Sequence, residues 1–166
     1  MLTIIQHPHP TLKIKSNPVT VFDSNLQNIA EEMISLMKQA RGIGLAANQV
    51  NLLMRIFVMQ VNDEKPPYVF INPEVTPINE DNIDYQEGCL SFPGVIQKRT
   101  RKEKVSVKWQ NLNGEFLQEN FEGLEAICIQ HENDHINGIT FIHHLSQLKQ
   151  QFALKKLEKP NNKRKM

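Results

Sequence analysis

The chain has 166 residues, 40% hydrophobic and 22% charged, enough for one domain with a sizeable core. Its net charge of +1 excludes a global preference for nucleic acid or an anionic membrane. No apolar run reaches bilayer length, Met1-Leu2-Thr3-Ile4-Ile5-Gln6 lacks a signal-peptide layout, and the two cysteines, Cys89 and Cys128, fit a reduced compartment, so a cytoplasmic chain with neither membrane nor sequence-specific nucleic-acid partners is expected.

Residues 1–22 carry Pro8, Pro10 and Pro18 and predict an irregular arm laid over the surface. Ser24 to Ala40 predicts the first helix: Ser24 and Gln27 give a capping-box signature, and Leu26, Ile29, Ala30, Met33 and Met37 recur at helical spacing. Gly42 fits its C-cap. The segment Gly42-Ile43-Gly44-Leu45-Ala46-Ala47-Asn48-Gln49 predicts a helix stop and a tight loop, whose small residues let the backbone approach a neighbour closely. With no strand before it and no Lys-Ser/Thr after it, a phosphate loop is discounted.

Met54 to Val61 and Tyr68 to Ile71 predict strands joined by the polar turn Asp63 to Pro67, and Pro73 and Pro77 predict a break in regular structure. Glu87-Gly88-Cys89-Leu90-Ser91 pairs a glycine turn with a thiol, and a basic run spans Lys98 to Lys104. Val105, Val107 and Trp109 alternate onto one strand face; Asn113-Gly114 signals a hairpin, and Glu115 to Phe121 is the return strand. Ser146 to about Glu158 predicts the last helix, with Leu148, Phe152 and Leu157 on one apolar side. Pro160 stops it, a loose tail follows from about 160, and Lys155 to Met166 forms a second basic run.

Gln130-His131-Glu132-Asn133-Asp134-His135 contains an HExxH motif. On a helix, two imidazoles four residues apart share a face and can bind one metal ion, and the Glu beside the first is placed to take a proton from water. Leu124, Ile127, Cys128, His131 and His135 form one stripe and Ala126, Ile129, Asn133 and Ile136 another, which predicts a helix buried between layers. Leu124, Ile127 and Cys128 would wall an apolar pocket beside the ligands, suited to a linear hydrophobic side chain. The motif supplies two ligands and a catalytic site needs a third. His143, His144 and Glu158 follow it at no spacing typical of zinc proteases; upstream, Cys89 offers a thiolate, a strong ligand for divalent iron or zinc, or else a small buried hydrophobe.

Taken together, the segments Gly42 to Gln49, Glu87 to Ser91 and Gln130 to His135 resemble, in order and spacing, the three signature motifs of bacterial peptide deformylase. The resemblance spans essentially the whole chain, including the arm with His7-Pro8 and Leu145-Ser146 to Gln151. It implies an α+β fold: small antiparallel β-sheets wrapped around a central HExxH helix, with an N-terminal and a C-terminal helix, in one catalytic domain over 1–166. It implies a hydrolase that removes the N-formyl group from the formyl-methionine of newly synthesised polypeptides and releases formate. Cys89, His131 and His135 would then hold one divalent metal ion, usually Fe2+, with Zn2+, Ni2+ or Co2+ as substitutes. Glu132 would carry the proton, with the Gln49 side-chain amide and the Leu90 backbone N–H as oxyanion donors. Ile43, Gly44, Glu87, Gly88, Leu124, Ile127 and Cys128 would form the substrate site.

The partners implied are the N-formylmethionyl nascent peptide and, through the basic C-terminal helix, the ribosome. Arg101 matches a family position expected to pair with Glu87 and steady the ligand loop. Two segments depart from common family patterns. Phe92-Pro93-Gly94-Val95-Ile96 lacks an acidic and then a basic residue that contact the outer substrate, and His143-His144, expected at the surface, replaces an acidic residue followed by Tyr or Arg. The rival readings are an HExxH metallopeptidase, with Glu125 or Glu158 as third ligand and Cys89 idle, and a non-catalytic relative acting as a binding module.

Overall fold

The computed structural model describes residues 1–158; the Pro160 stop, the expected tail and most of the second basic run lie outside them. In chain order the described elements are α1 (Ser24–Gln39), β1 (Gly44–Ala46), β2 (Ile56–Met59), β3 (Tyr68–Pro77), β4 (Asn82–Cys89), β5 (Phe92–Lys102), β6 (Lys104–Gln110), β7 (Phe116–Glu122), α2 (Gly123–Ile136) and α3 (Gln147–Glu158). The expected α+β arrangement is found.

Helix α1 buries Leu26, Ala30, Met33 and Met37 along one face. Its cap is Asp23 and not the expected Ser24: Asp23 Oδ1 accepts the Leu26 N–H at 3.0 Å, and Ser24 is the first helical residue. A carboxylate there both satisfies an orphan donor and faces the positive end of the helix dipole. At the other end the left-handed residue is Arg41 (φ 58°), one position before the expected Gly42. The Gly42 N–H reaches back to Met37 O at 2.9 Å and the Arg41 N–H to Lys38 O at 3.0 Å, the paired bonds of a Schellman stop.

Five antiparallel strands form one sheet in the order β1-β2-β3-β6-β7, and β4 pairs only with β5 in a second sheet. The Gly42 to Gln49 segment is thus not simply a loop. It supplies edge strand β1 and then a short 3-10 helix, Ala47–Val50. Nor do the prolines end β3, which continues to Pro77; the register slips between Ile71 and Glu74, around Pro73, and the strand resumes. Asn72 takes the left-handed conformation at the slip (φ 51°), and its side chain bonds both Val19 N and Val19 O at 2.8 Å, so the irregular backbone is compensated. Gly114 (φ 81°) sits in the turn between β6 and β7, at the expected hairpin.

The β4–β5 hairpin was not predicted as strands. It pairs residues 82–88 with 96–102 and takes up the first basic run except Lys104, which opens β6. Lys98, Arg101, Lys102 and Lys104 each meet an acid: Asp84 at 3.4 Å, Glu87 at 2.6 Å, Glu80 at 3.1 Å and Glu122 at 3.7 Å.

Helix α2 lies between the two sheets. Ala126, Ile129 and Ile136 join Phe57, Phe70, Trp109 and Phe121 of the large sheet in one core cluster. Phe70 is fully buried against Trp109 and Phe57, with ring centroids 4.8 and 4.9 Å away. A side chain of that size contributes about 1.5–3 kcal/mol by burial alone. The opposite stripe of α2 turns Ile127, Cys128, His131 and His135, all buried, towards the space between β1 and β4. Helix α3 begins after Ser146, whose hydroxyl accepts the Lys149 N–H at 3.3 Å. Of its expected apolar side, Leu157 packs inwards, but the buried face is rotated away from the other two residues. Leu148 and Phe152 are exposed, while Ala153, Leu154 and Leu157 pack with Phe92, Phe141 and Ile142.

Candidate metal centre and active site

Cys89 ends β4, and His131 and His135 lie one turn apart on α2. Their ligating atoms all fall within 4.8 Å of one another, with Cys89 Sγ 3.3 Å from His135 Nε2. A thiol and two imidazoles suit a borderline-soft divalent ion. Glu132 Oε2 is buried beside them without a protein partner. The donor set therefore fits the metal that the motif implies. Glu125 is not part of it.

A chain of charged groups steadies the thiol strand and the first histidine. His131 Nδ1 lies 3.0 Å from Glu87 Oε1, which leaves its other nitrogen for the thiol side. Arg101 Nε donates to Glu87 Oε2 at 2.6 Å and Nη2 to Oε1 at 3.0 Å; Nη1 reaches Asp134 Oδ2 at 3.0 Å. The expected Arg101–Glu87 pair is present. Glu87, expected at the substrate site, turns its carboxylate inwards to this network. Asp134, inside the HExxH segment, was missed: its spacing from His131 signals a shared helix face, but not Arg101 across the hairpin.

Burial penalises charge on Glu87, yet hydrogen bonds from His131 and Arg101 and the Arg101 charge outweigh it and hold its pKa at about 2. Burial also opposes charge on His131, but the Cys89 and Glu87 hydrogen bonds prevail and raise its pKa to about 10. His135 has no such support, and burial with the neighbouring positive groups pushes it well below the usual value. Glu132 is raised to about 7, chiefly by burial. A carboxylate with that affinity for a proton is suited to taking one and giving it back at neutral pH.

Gln49 is buried, and its orientation is set: Oε1 accepts the Ala46 N–H at 2.9 Å, so Nε2 faces Ser91 Oγ at 3.2 Å and Cys89 Sγ at 3.7 Å. Leu90 lies in the turn between β4 and β5. The N-terminal arm ties these segments together, since the Ile5 N–H donates to Gln49 O at 2.8 Å and the His7 N–H to Ser91 O at 3.0 Å.

A cavity of about 410 Å³ opens in front of the centre. Leu124, Ile127 and Cys128 line it from α2, Ile43 and Gly44 from the β1 side, and Glu87 and Gly88 from β4, so the expected substrate-site residues are brought together. Gly44 is needed by proximity: a Cβ there would sit 2.6 Å from Cys128 Sγ and 2.8 Å from Glu132 Oε1. Pro93 and Gly94, from the segment expected to face the outer substrate, line the cavity too, and the sequence reading missed Arg41 on the β1 side and Tyr85 on β4. Tyr85 and Gly94 belong to the unpredicted hairpin, and Arg41 read as a helix end.

Three convergent donors beside a buried carboxylate, at the base of an apolar cleft, define the arrangement of a mononuclear metal-dependent hydrolase. Residues 1–151 match the family model described as polypeptide deformylase, and the chain belongs to that family. It is 46% identical over 160 residues to a peptide deformylase of Pseudomonas aeruginosa, covering 96% of this chain and 95% of that one. The crystal structure of a peptide deformylase from Legionella pneumophila superposes with a TM-score of 0.89 at 39% identity, covering 95% of this chain and 93% of that one. The one from Ehrlichia chaffeensis gives 0.91 at 33% identity, covering 98% and 97%. Among the described residues, no helix is long and apolar enough to cross a membrane.

Proposed function

We propose that this chain hydrolyses the N-formyl group of formyl-methionine on newly synthesised polypeptides and releases formate. The observation that carries this reading is the convergence of Cys89, His131 and His135 beside Glu132 at the end of an apolar cavity. Cys89, His131 and His135 would hold the metal, with Fe2+ the favoured ion and Zn2+, Ni2+ or Co2+ as substitutes. When bound, the metal supplies Lewis acidity that polarises the formyl group and makes water more acidic.

The protein's own groups do the rest. The methionine side chain enters between Leu124, Ile127 and Cys128, and the peptide backbone lies along the edge of β1 at Gly44, as an added strand. Gly88 borders the same cleft from β4. Glu132 takes a proton from the attacking water on its carboxylate and returns it to the departing amine nitrogen, so the C–N bond breaks with a neutral amine leaving. Gln49 Nε2 and the Leu90 N–H donate to the oxygen that gains charge at the formyl carbon. The bond from Ala46 fixes the Gln49 amide before substrate arrives, so no reorganisation is needed during reaction.

Formate release from a formyl-Met-Ala-Ser peptide, with metal analysis of anaerobically prepared protein, tests the reading. Cys89→Ala is expected to lose both metal and activity. Retained metal with cleavage of internal peptide bonds would instead favour the peptidase reading, and retained metal without any turnover a binding module. Helix α3 presents exposed Lys149, Lys155 and Lys156 together with Phe152, which supports docking on the ribosome near the emerging chain. Salt-insensitive or unchanged cosedimentation of a Lys155→Glu/Lys156→Glu variant with ribosomes would refute that docking.

A further inference from the structure

The outer half of the cleft carries one exposed charge. Of the Arg, His and Glu side chains that line the cavity, Glu87, His131 and Glu132 are buried, and Arg41 is exposed. No carboxylate pairs with Arg41 among the described residues. Asp84, next to Tyr85 on the opposite wall, is already held by Thr100 Oγ1 at 2.5 Å and Lys98 Nζ at 3.4 Å. Arg41 also occupies the left-handed position that ends α1, a place usually left to glycine.

Along the chain, Arg41 precedes Ile43, Gly44 and Gln49 on one wall, and Tyr85 precedes Gly88 and Cys89 on the other, and all of them line the cavity. A peptide paired along β1 with its formyl group at Cys89 and His131 is placed to extend past Gly44 towards Arg41. In an extended strand the first and third side chains point to the same side, about 7 Å apart along the chain. With the methionine side chain between Leu124 and Cys128, the second side chain faces away and the third returns to the outer cavity. Arg41 lies three positions before Gly44, a reach of at most about 10 Å.

Resting on the deformylase reading above, we infer that Arg41 is a specificity-determining residue that selects nascent chains with an acidic third residue. Its long stem lets the guanidinium meet a carboxylate over the half-exposed Tyr85 wall, while a lysine at that substrate position would meet like charge. The pair sits at the cavity mouth, so its effect is that of an exposed ion pair, about two- to fivefold, and setting acid against base widens the range to about three- to tenfold.

The test compares kcat/KM for formyl-Met-Ala-Glu, formyl-Met-Ala-Gln and formyl-Met-Ala-Lys, and for formyl-Met-Glu-Ala, in low and moderate salt. The wild type is expected to rank Glu above Gln above Lys at the third position, with the gap narrowing in salt. Arg41→Gln should abolish the ranking, Arg41→Lys should keep it, and Arg41→Glu should invert it. An unchanged ranking in Arg41→Gln, equal rates for all three peptides, or a preference confined to the second position would overturn the inference while formyl-Met-Ala-Ser is still deformylated. No turnover of formyl-Met-Ala-Ser by the metal-loaded protein would overturn the deformylase reading, and this inference with it.

Discussion

Replacing Arg101 with Met removes a buried guanidinium while keeping much of its volume. Arg101 and Glu87 are only 7% and 4% exposed, and Arg101 makes two of the contacts on the Glu87 carboxylate and one on Asp134. Breaking one side of such a pair leaves a charge stranded in the interior, at a cost of about 3–5 kcal/mol. The pKa of Glu87 gives a second estimate. Lowering it from 4.5 to about 2 corresponds to about 3 kcal/mol, part of which belongs to His131. A loss of about 3 kcal/mol would lower Tm by about 6–12 °C in a chain of this size. Urea unfolding at pH 7, in chelator so that metal affinity does not enter, measures it directly. Because the folded-state pKa is depressed, the stabilisation is fully present above 4.5 and is lost as pH falls towards 2; in the variant that acid slope should flatten. A loss below about 1 kcal/mol at pH 7 would refute the reasoning, as would an unaltered slope between pH 4.5 and 2.

Glu132→Gln keeps the shape of the side chain but cannot take a proton; kcat for formate release should fall by about 10²- to 10⁴-fold with metal content unchanged, and a loss under about tenfold would exclude Glu132 as the proton carrier. Gly44→Ala would place a methyl group 2.6 Å from Cys128 Sγ and 2.8 Å from Glu132 Oε1, so kcat/KM should drop more than about tenfold; wild-type kinetics would show that β1 does not lie this close to α2. Ala153→Leu should destabilise by about 1–3 kcal/mol by overpacking the cluster of Phe92, Phe141 and Ile142, whereas Phe152→Ser should change stability by no more than about 0.5 kcal/mol. The reverse order in thermal unfolding would mean that α3 is rotated by about a third of a turn.

Elements with one wet and one dry face were legible because burial writes a period into them. Helix α1 and the alternation in β6 lie where their spacing places them, and α2, covered on two sides, shows instead as two stripes. The β4–β5 hairpin was not, for a physical reason. Its outer face is built of Lys98, Thr100 and Lys102 and its inner face of Glu87 and Arg101, so polar residues occupy both sides and no apolar alternation survives. Helix α3 failed for a related reason. Leu148 and Phe152 are its largest apolar residues in the first two turns, but Ala153 fits the narrow gap against Phe92. Size misled where complementarity decided.

The same contrast explains which part of the candidate site could be read in advance. Cys89, His131, Glu132, His135 and Gln49 belong to short segments whose residue types declare their chemistry, and the cavity residues follow them by helical or strand spacing. What could not be read is why the segments meet. Cys89 and His131 are 42 positions apart, and the link between their elements runs through Glu87, Arg101 and Asp134, from two strands and a helix. No local period connects these three. Each is a charged residue that, taken alone, is more readily assigned to the surface. Glu87 and Arg101 become buried, with half-buried Asp134 joined to them, only after β4 and β5 have paired, since that register sets Glu87 opposite Gln97 and leaves Arg101 four positions further along β5, within reach of both carboxylates. The hairpin is therefore a prerequisite of the site and not just a carrier of Cys89. A change that slips its register by one residue would turn Glu87 to the outer face, exchange it for Gly88 and leave His131 without its partner.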